Sequence, residues 1–209
     1  VDIISLKHPT HGRTHSIHDQ IRAPVHYLPE YLYREITRVW RAWRRVRRWP
    51  GYQAARAQWL ADLRRDWTTN RIRRFGQALV LASELEDNIQ HLHAHFLHSP
   101  ASVARYAALS KDLPWSCSAH DVDARTAPIW EIKEKLSDVH WLVACTQFSA
   151  EYLKTFSPTP SKVSLAYHGL DLSRSHTDDV VIQSGSPVRF LSVGQALEKT
   201  GYEDLLEAL

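Results

Sequence analysis

Between residues 31 and 48, apolar positions recur at steps of four and three: Leu32, Ile36, Val39, Trp43 and Val46. That spacing lines one side of a helix. Arg34, Arg38, Arg41, Arg45 and Arg48 repeat at the same steps on the opposite side. The pattern predicts an amphipathic helix with its apolar stripe inward and its arginines in solvent. Pro29 is expected to open it, as proline suits a first helical turn, and Pro50-Gly51 to end it. Upstream, residues 1–6 and 25–28 read as strands. The polar loop between them carries His8, His11, His15 and His18. Two further helices are expected, at 52–65 and 70–86.

From Ile89 the rhythm changes to short apolar runs alternating with helical ones. Strands are predicted at 89–95, 115–120, 139–146 and 162–168, and helices at 99–111, 127–138 and 147–156. Strands alternating with helices predict an α/β fold with a parallel sheet and helices packed on its faces. Residues 173–187 are polar, with Ser, Asp, Gly and Pro and little periodicity, and read as a linker. After them Val188, Phe190, Leu191 and Val193 form an apolar run up to Gly194, and Gly201 precedes an amphipathic helix. This strand, turn and helix is the expected opening of a second α/β domain. The division is then 1–172, a linker at 173–187, and 188–209. The strand pattern at Val1 and the short second segment together lead to the expectation of a fragment.

Composition bounds the class. Apolar residues make up 44 % of the 209 positions, enough for a real core, and the net charge is only +3. So small a charge argues against nucleic acid as the partner of the whole chain. Glu30 and Glu35 dilute the arginine stripe. A solvated face is its plain reading, and an anionic membrane surface touched by Arg34, Arg38, Arg41, Arg45 and Arg48 the functional one. No apolar stretch is long enough for a membrane span. Cys117 and Cys145 read as buried free thiols rather than a disulfide.

Thirteen histidines are more than expected, and their placement matters. In an open parallel sheet, ligands bind beyond the carboxyl ends of the strands. His95 and His98, then His120 with Asp121 and Asp123, then Thr146, then His168 with Asp171 follow the four predicted strands. An imidazole there serves as a base, a donor to an anion or a metal ligand. One reading is a metal-dependent hydrolase built on His93, His95 and His120. Strict alternation also places His91, His93 and His95 on one sheet face with nothing to coordinate.

A series of short motifs adds a resemblance. His93-Ala94-His95-Phe96, Ser118-Ala119-His120, Tyr167-His168-Gly169-Leu170-Asp171, Ser192-Val193-Gly194, Glu198-Lys199 and Gly201-Tyr202 occur in that order. Together they resemble glycosyltransferase family 4, most closely the group around colanic-acid and other exopolysaccharide biosynthesis enzymes. The resemblance runs over essentially the whole chain.

It implies a GT-B architecture, in which two Rossmann-like domains, each with helices on both faces of a parallel sheet, face each other across a cleft. Residues 1–172 would be the acceptor-side N-terminal domain, and 188–209 the first strand and helix of the nucleotide-sugar domain. The implied reaction is transfer of a sugar from a nucleotide-sugar donor, with retention, to a glycan or lipid-linked acceptor. No metal and no cofactor is implied, the nucleotide sugar being a substrate. His120 matches the histidine of the family's Ala-His motif and is implied to contact the reacting sugar, with His95 and Asp123 on the acceptor side of the cleft. Gln195, Lys199 and Thr200 fall on the donor-diphosphate segment. There Gln195 stands where the family has an arginine and Thr200 where it has a lysine. His168 and Asp171 match a structural loop near the hinge. The implied location is cytoplasmic, peripheral on the inner face of the membrane. By itself a fragment lacking most of the donor domain is expected to be inactive, and the altered donor cations leave open a non-catalytic relative that binds a partner or a membrane.

Overall fold

The computed structural model describes residues 1–9, 18–169, 190–194 and 200–208. Two compact units divide it, Val1–His168 and Gly169–Leu209. The expected linker at 173–187, together with Asp171, lies outside the described residues.

In the first unit, β1 (Ile3–Ser5) and β2 (Val25–Tyr27) pair in parallel as a small sheet. The main sheet holds β3 (Leu92–His95), β4 (Trp115–Ala119), β5 (Trp141–Ala144) and β6 (Val163–Leu165), all parallel and in sequence order. Between them run α4 (Ser99–Lys111), α5 (Asp121–Thr126), α6 (Ile129–Asp138) and α7 (Gln147–Lys154). The α/β alternation predicted from Ile89 onward is therefore present, with α5 as an additional short helix. Helix α4 packs on β3 and β4, and α7 on β5 and β6. Helices α1 (Ile36–Val46), α2 (Tyr52–Arg65) and α3 (Thr69–Glu84) stack behind α4.

Local chemistry sets these boundaries. Thr68 and Thr146 cap α3 and α7, each side-chain oxygen accepting a backbone N–H three residues on, from Arg71 and Ser149. Asp112 ends α4 in the left-handed region, at φ 55°. Helix α1 begins at Ile36 rather than near Pro29, because a single 3-10 turn (Leu32–Arg34) and the non-helical Glu35 come first.

The core is one continuous cluster. Val46, Leu79, Val80, Leu97, Tyr106, Ile132, Leu136, Leu142 and Leu153 are all buried within it.

The orientation of α1 differs from the sequence expectation. Ala42 and Val46 are its buried residues, and α1 packs on α3. Arg38 faces that contact, donating to Glu84 (2.6 and 2.7 Å) and to Tyr27 O (3.1 Å). Arg45 donates to Ser83 O at 2.9 Å. Two arginines of the expected solvent stripe are thus anchors to neighbouring elements. Burial of the small Ala42 lets α1 sit close to α3, and Glu84 supplies the counter-charge. The expected apolar stripe is split: Val46 is buried and Val39 packs against the core, whereas Ile36 is 63 % exposed and Trp43 36 %.

In the second unit, α8 (Tyr202–Glu207) is helical and follows Gly201, whose φ of 67° suits glycine. Residues 190–193 form no strand. Phe190, Leu191 and Val193 are exposed, and a strand exists only by pairing.

Candidate functional site at the strand ends

Parallel pairing in register brings the ends of the four main strands to one edge. His95 pairs with Ser118, and Ala119 with Ala144, which in turn pairs with Leu165. His95 closes β3, while His120 and Cys145 are the first residues beyond β4 and β5. His168 lies three residues beyond β6. The His120 ring stands 4.6 Å from that of His95, 4.7 Å from Phe96 and 5.0 Å from His168, centroid to centroid. His120 and Cys145 are half-buried, and His95 and His168 are exposed.

The loops behind this edge are tied down. Asp121 follows His120, and Thr146 follows Cys145. The Asp121 Oδ1 accepts from Thr146 Oγ1 at 2.7 Å and from the Ser149 hydroxyl. Those two bonds, Ser149 first, hold the Asp121 carboxyl below the usual carboxylate range. The backbone of α5 continues from the same place, Ala124 N–H donating to His120 O at 2.9 Å. Phe96 has a φ of 83°, a conformation that bulky side chains rarely adopt. It is followed by a turn whose Leu97 and His98 carbonyls accept from buried Lys135 at 2.6 and 2.8 Å. Outlier backbone of this kind persists only where the surroundings hold it, and here Lys135 does so.

Of the residues picked out in the sequence, His95 and His120 come together at this edge. Asp123 lies in α5, one turn beyond His120. His168, read as part of a structural loop, joins the cluster through its ring contact with His120. Thr200 belongs to the other unit, while Gln195 and Lys199 lie outside the described residues.

His93 does not serve the metal reading. Its Nδ1 and Nε2 lie 2.8 and 2.9 Å from the Ser116 and Ser118 hydroxyls, so both nitrogens are already engaged. Its ring stacks on Trp141 at 5.1 Å, beside His91. The alternation of β3 produces a polar sheet face in which serines satisfy imidazoles.

Cys145 and Lys135 were not foreseen as site residues. Cys145 occupies the same place after its strand as His120 does after β4, and that equivalence was the available signal. Neither cysteine is in a disulfide; Cys117 is buried and Cys145 half-buried. Lys135 stands four residues after Glu131, the spacing of a helical ion pair, although nothing local in the sequence announces that both are buried.

Comparison with known proteins adds one match. The family model for Glycosyltransferase Family 4 matches residues 53–174, more than half of the chain. The matched segment runs from α2 past β6 and includes His95, His120, Cys145 and His168. No curated protein and no solved structure matches the chain.

Proposed function

The chain belongs to Glycosyltransferase Family 4, and from that premise we propose that it takes part in transfer of a sugar, with retention, from a nucleotide-sugar donor to a glycan or lipid-linked acceptor. The observation that carries this reading is the position of His120, within the family-matched segment and at the ligand-binding edge of the parallel sheet. A half-buried imidazole there presents a nitrogen that can donate to, or accept from, a sugar hydroxyl. His95, beside it, is assigned to the acceptor side, and Asp123 on α5 to the same side. Departure of a nucleoside diphosphate places negative charge on the leaving group, which positioned cations and N–H donors stabilise. Gln195, Lys199 and Thr200 are assigned to that end of the donor. The resemblance to exopolysaccharide enzymes favours a cell-envelope glycan as the product and a location on the inner face of the membrane.

A specific surface favours membrane contact. Leu32, Tyr33, Ile36, Val39, Trp40 and Trp43 line an open apolar groove of about 440 Å³ on α1 and the turn before it. Guanidinium groups flank it: Arg34 over Tyr31 at 4.9 Å, Arg44 over Trp40 at 4.7 Å and Arg47 over Trp43 at 4.6 Å. Aromatic rings beside basic groups suit the interface of an anionic bilayer. Arg38 is not part of this surface, being committed to Glu35 and Glu84. Among the described residues no helix is long and apolar enough to cross a membrane.

Sugar transfer by the chain joined to a complete nucleotide-sugar domain, assayed over a panel of nucleotide sugars with membrane extracts as acceptor, tests the reading. Replacing His120 with alanine is expected to lower kcat by about 100-fold or more, the scale of losing a positioned hydrogen-bonding group at the reacting centre. An unchanged kcat in His120→Ala removes the histidine from the reaction.

A further inference from the structure

We propose that His120, Cys145 and His168 form a binding site for a soft divalent transition-metal ion, with zinc as the best fit. One ligand atom from each residue lies within 4.8 Å of the other two. In a tetrahedral zinc site, bonds of about 2.0–2.1 Å to nitrogen and 2.3 Å to sulfur leave ligand atoms roughly 3.4–3.6 Å apart. Each pair of ligand atoms therefore has to close by at most about 1.4 Å to reach tetrahedral separations.

The donor set fits the ion. One thiolate with two imidazoles selects zinc or copper over magnesium or calcium, which prefer oxygen. Cys145 is a free thiol, so no disulfide competes for its sulfur.

The backbone holds two of the ligands in place. Register pairing of Ala119 with Ala144 sets His120 beside Cys145. The hydrogen bond from Thr146 to Asp121 then ties the next residue of each strand end to the other. His168 follows β6, and just beyond that strand the Ala166 N–H still donates to Ala144 O at 3.0 Å. Three ligands from three adjacent strand ends leave a fourth position open to water, with the His95 ring 4.6 Å from that of His120.

Coordination would occupy a nitrogen of His120. If His120 works on the sugar as proposed above, the metal-loaded protein transfers more slowly than the metal-free protein. That consequence rests on the functional reading, whereas metal binding does not.

Cobalt titration of the full chain, first stripped with a chelator, tests the site. Binding at a ratio of one, with a thiolate-to-cobalt charge-transfer absorption displaced by zinc, is the expected result. Cys145→Ser should abolish that absorption, and Cys117→Ala should keep it. His168→Ala should weaken cobalt binding by more than the roughly 10–100-fold that loss of a supporting second-shell group costs. Far-UV circular dichroism identifies which variants are folded; should His168→Ala not fold, His168→Gln takes its place. No cobalt binding, binding without the thiolate signal, or a signal that survives Cys145→Ser overturns the proposal. The transfer assay on metal-free protein keeps the two readings apart. Transfer without metal binding defeats the site alone, and metal binding without transfer defeats the functional reading alone.

Discussion

Lys135 and Glu131 form an ion pair of 2.6 Å, one helical turn apart on α6, with both side chains only 1 % exposed. The pair sits in a wider network. Glu131 also accepts from Arg71 at 2.5 Å and from the Ser102 hydroxyl at 2.8 Å, and Arg74 lies 3.5 Å away. Burial lowers the Lys135 ammonium below its ordinary value, and the Glu131 carboxylate beside it opposes that shift. Burial pushes the Glu131 carboxyl up, but Lys135 and Arg71 outweigh it and hold the group well below the usual range. The charged pair anchors the turn after β3, since the same ammonium holds the Leu97 and His98 carbonyls.

Removing the carboxylate leaves Lys135, Arg71 and Arg74 gathered around a neutral amide. Glu131→Gln is therefore expected to cost about 3–5 kcal/mol, the scale of breaking a buried ion pair from one side. Urea unfolding followed by circular dichroism measures it. A loss below about 1 kcal/mol would show that the pair adds little to stability.

Acid should weaken the fold in two stages. Burial lowers the pKa values of His91, His93 and His98 below the ordinary 6.5, helped at His91 by His140, at His93 by His91 and His95, and at His98 by Arg74 and Lys135. In that window the unfolded chain binds protons that the folded chain refuses, so stability rises with pH. The contribution is fully present above about 6.5 and is lost as pH falls below it. Glu131, depressed in the same sense, adds a second loss below about 4.5. The urea midpoint, measured with a chelator present, is expected to be lower at pH 5.5 than at pH 7.5. An equal or higher midpoint at pH 5.5 contradicts this assignment.

The strand ends were legible in the sequence because alternation from Ile89 onward is a local signal, and sheet topology places whatever follows a strand. His95 and His120 could be named on that basis. The direction of α1 was legible only in part: Val46 is buried and Arg34, Arg41 and Arg48 are exposed as the pattern predicts, but the helix is rotated so that Ile36 and Trp43 face outward. Its stripe of Leu32, Ile36, Val39 and Trp43 has helical spacing, but spacing does not say which neighbour the helix meets. Glu84, forty-six residues from Arg38, supplies that information through tertiary contact. Cys145 was hidden for a related reason. The sequence pattern runs this strand through to Thr146, and one position along a chain leaving a sheet decides which side chain faces the edge. The buried charges of α6 and α3 look like an ordinary amphipathic pattern until the helices are packed together.

Gly51 is a packing constraint that the turn signal alone does not reveal. A Cβ built on it would stand 2.1 Å from Leu109 O and 2.8 Å from Ser110 O, in the backbone at the end of α4. Neither carbonyl is a flexible group that can swing aside, so α2 and α4 must separate to admit a methyl. Gly51→Ala is expected to destabilise the protein by about 1–3 kcal/mol, as overpacking does. Gly76→Ala meets only the Leu32 side chain and should cost less. Thermal unfolding of the two variants ranks them, and the reverse order would place the close contact elsewhere.

The outward face of α1 gives a membrane test with an internal control. Near an anionic bilayer each basic side chain contributes about 1 kcal/mol. Replacing both Arg44 and Arg47 with glutamine should weaken binding to vesicles containing anionic lipid by about 30-fold, less at high salt. Trp40→Glu places a carboxylate in the centre of the apolar groove and should abolish the same binding. Arg38→Gln differs in mechanism. It breaks the contacts with Glu84 and Tyr27 inside the fold, so it should lower the melting temperature while leaving vesicle affinity unchanged in the folded fraction. Co-sedimentation with vesicles, paired with thermal melts, separates these effects. Equal loss of binding in Arg38→Gln and in the Arg44/Arg47 variant would mean that net charge, rather than this face, directs the protein to the bilayer.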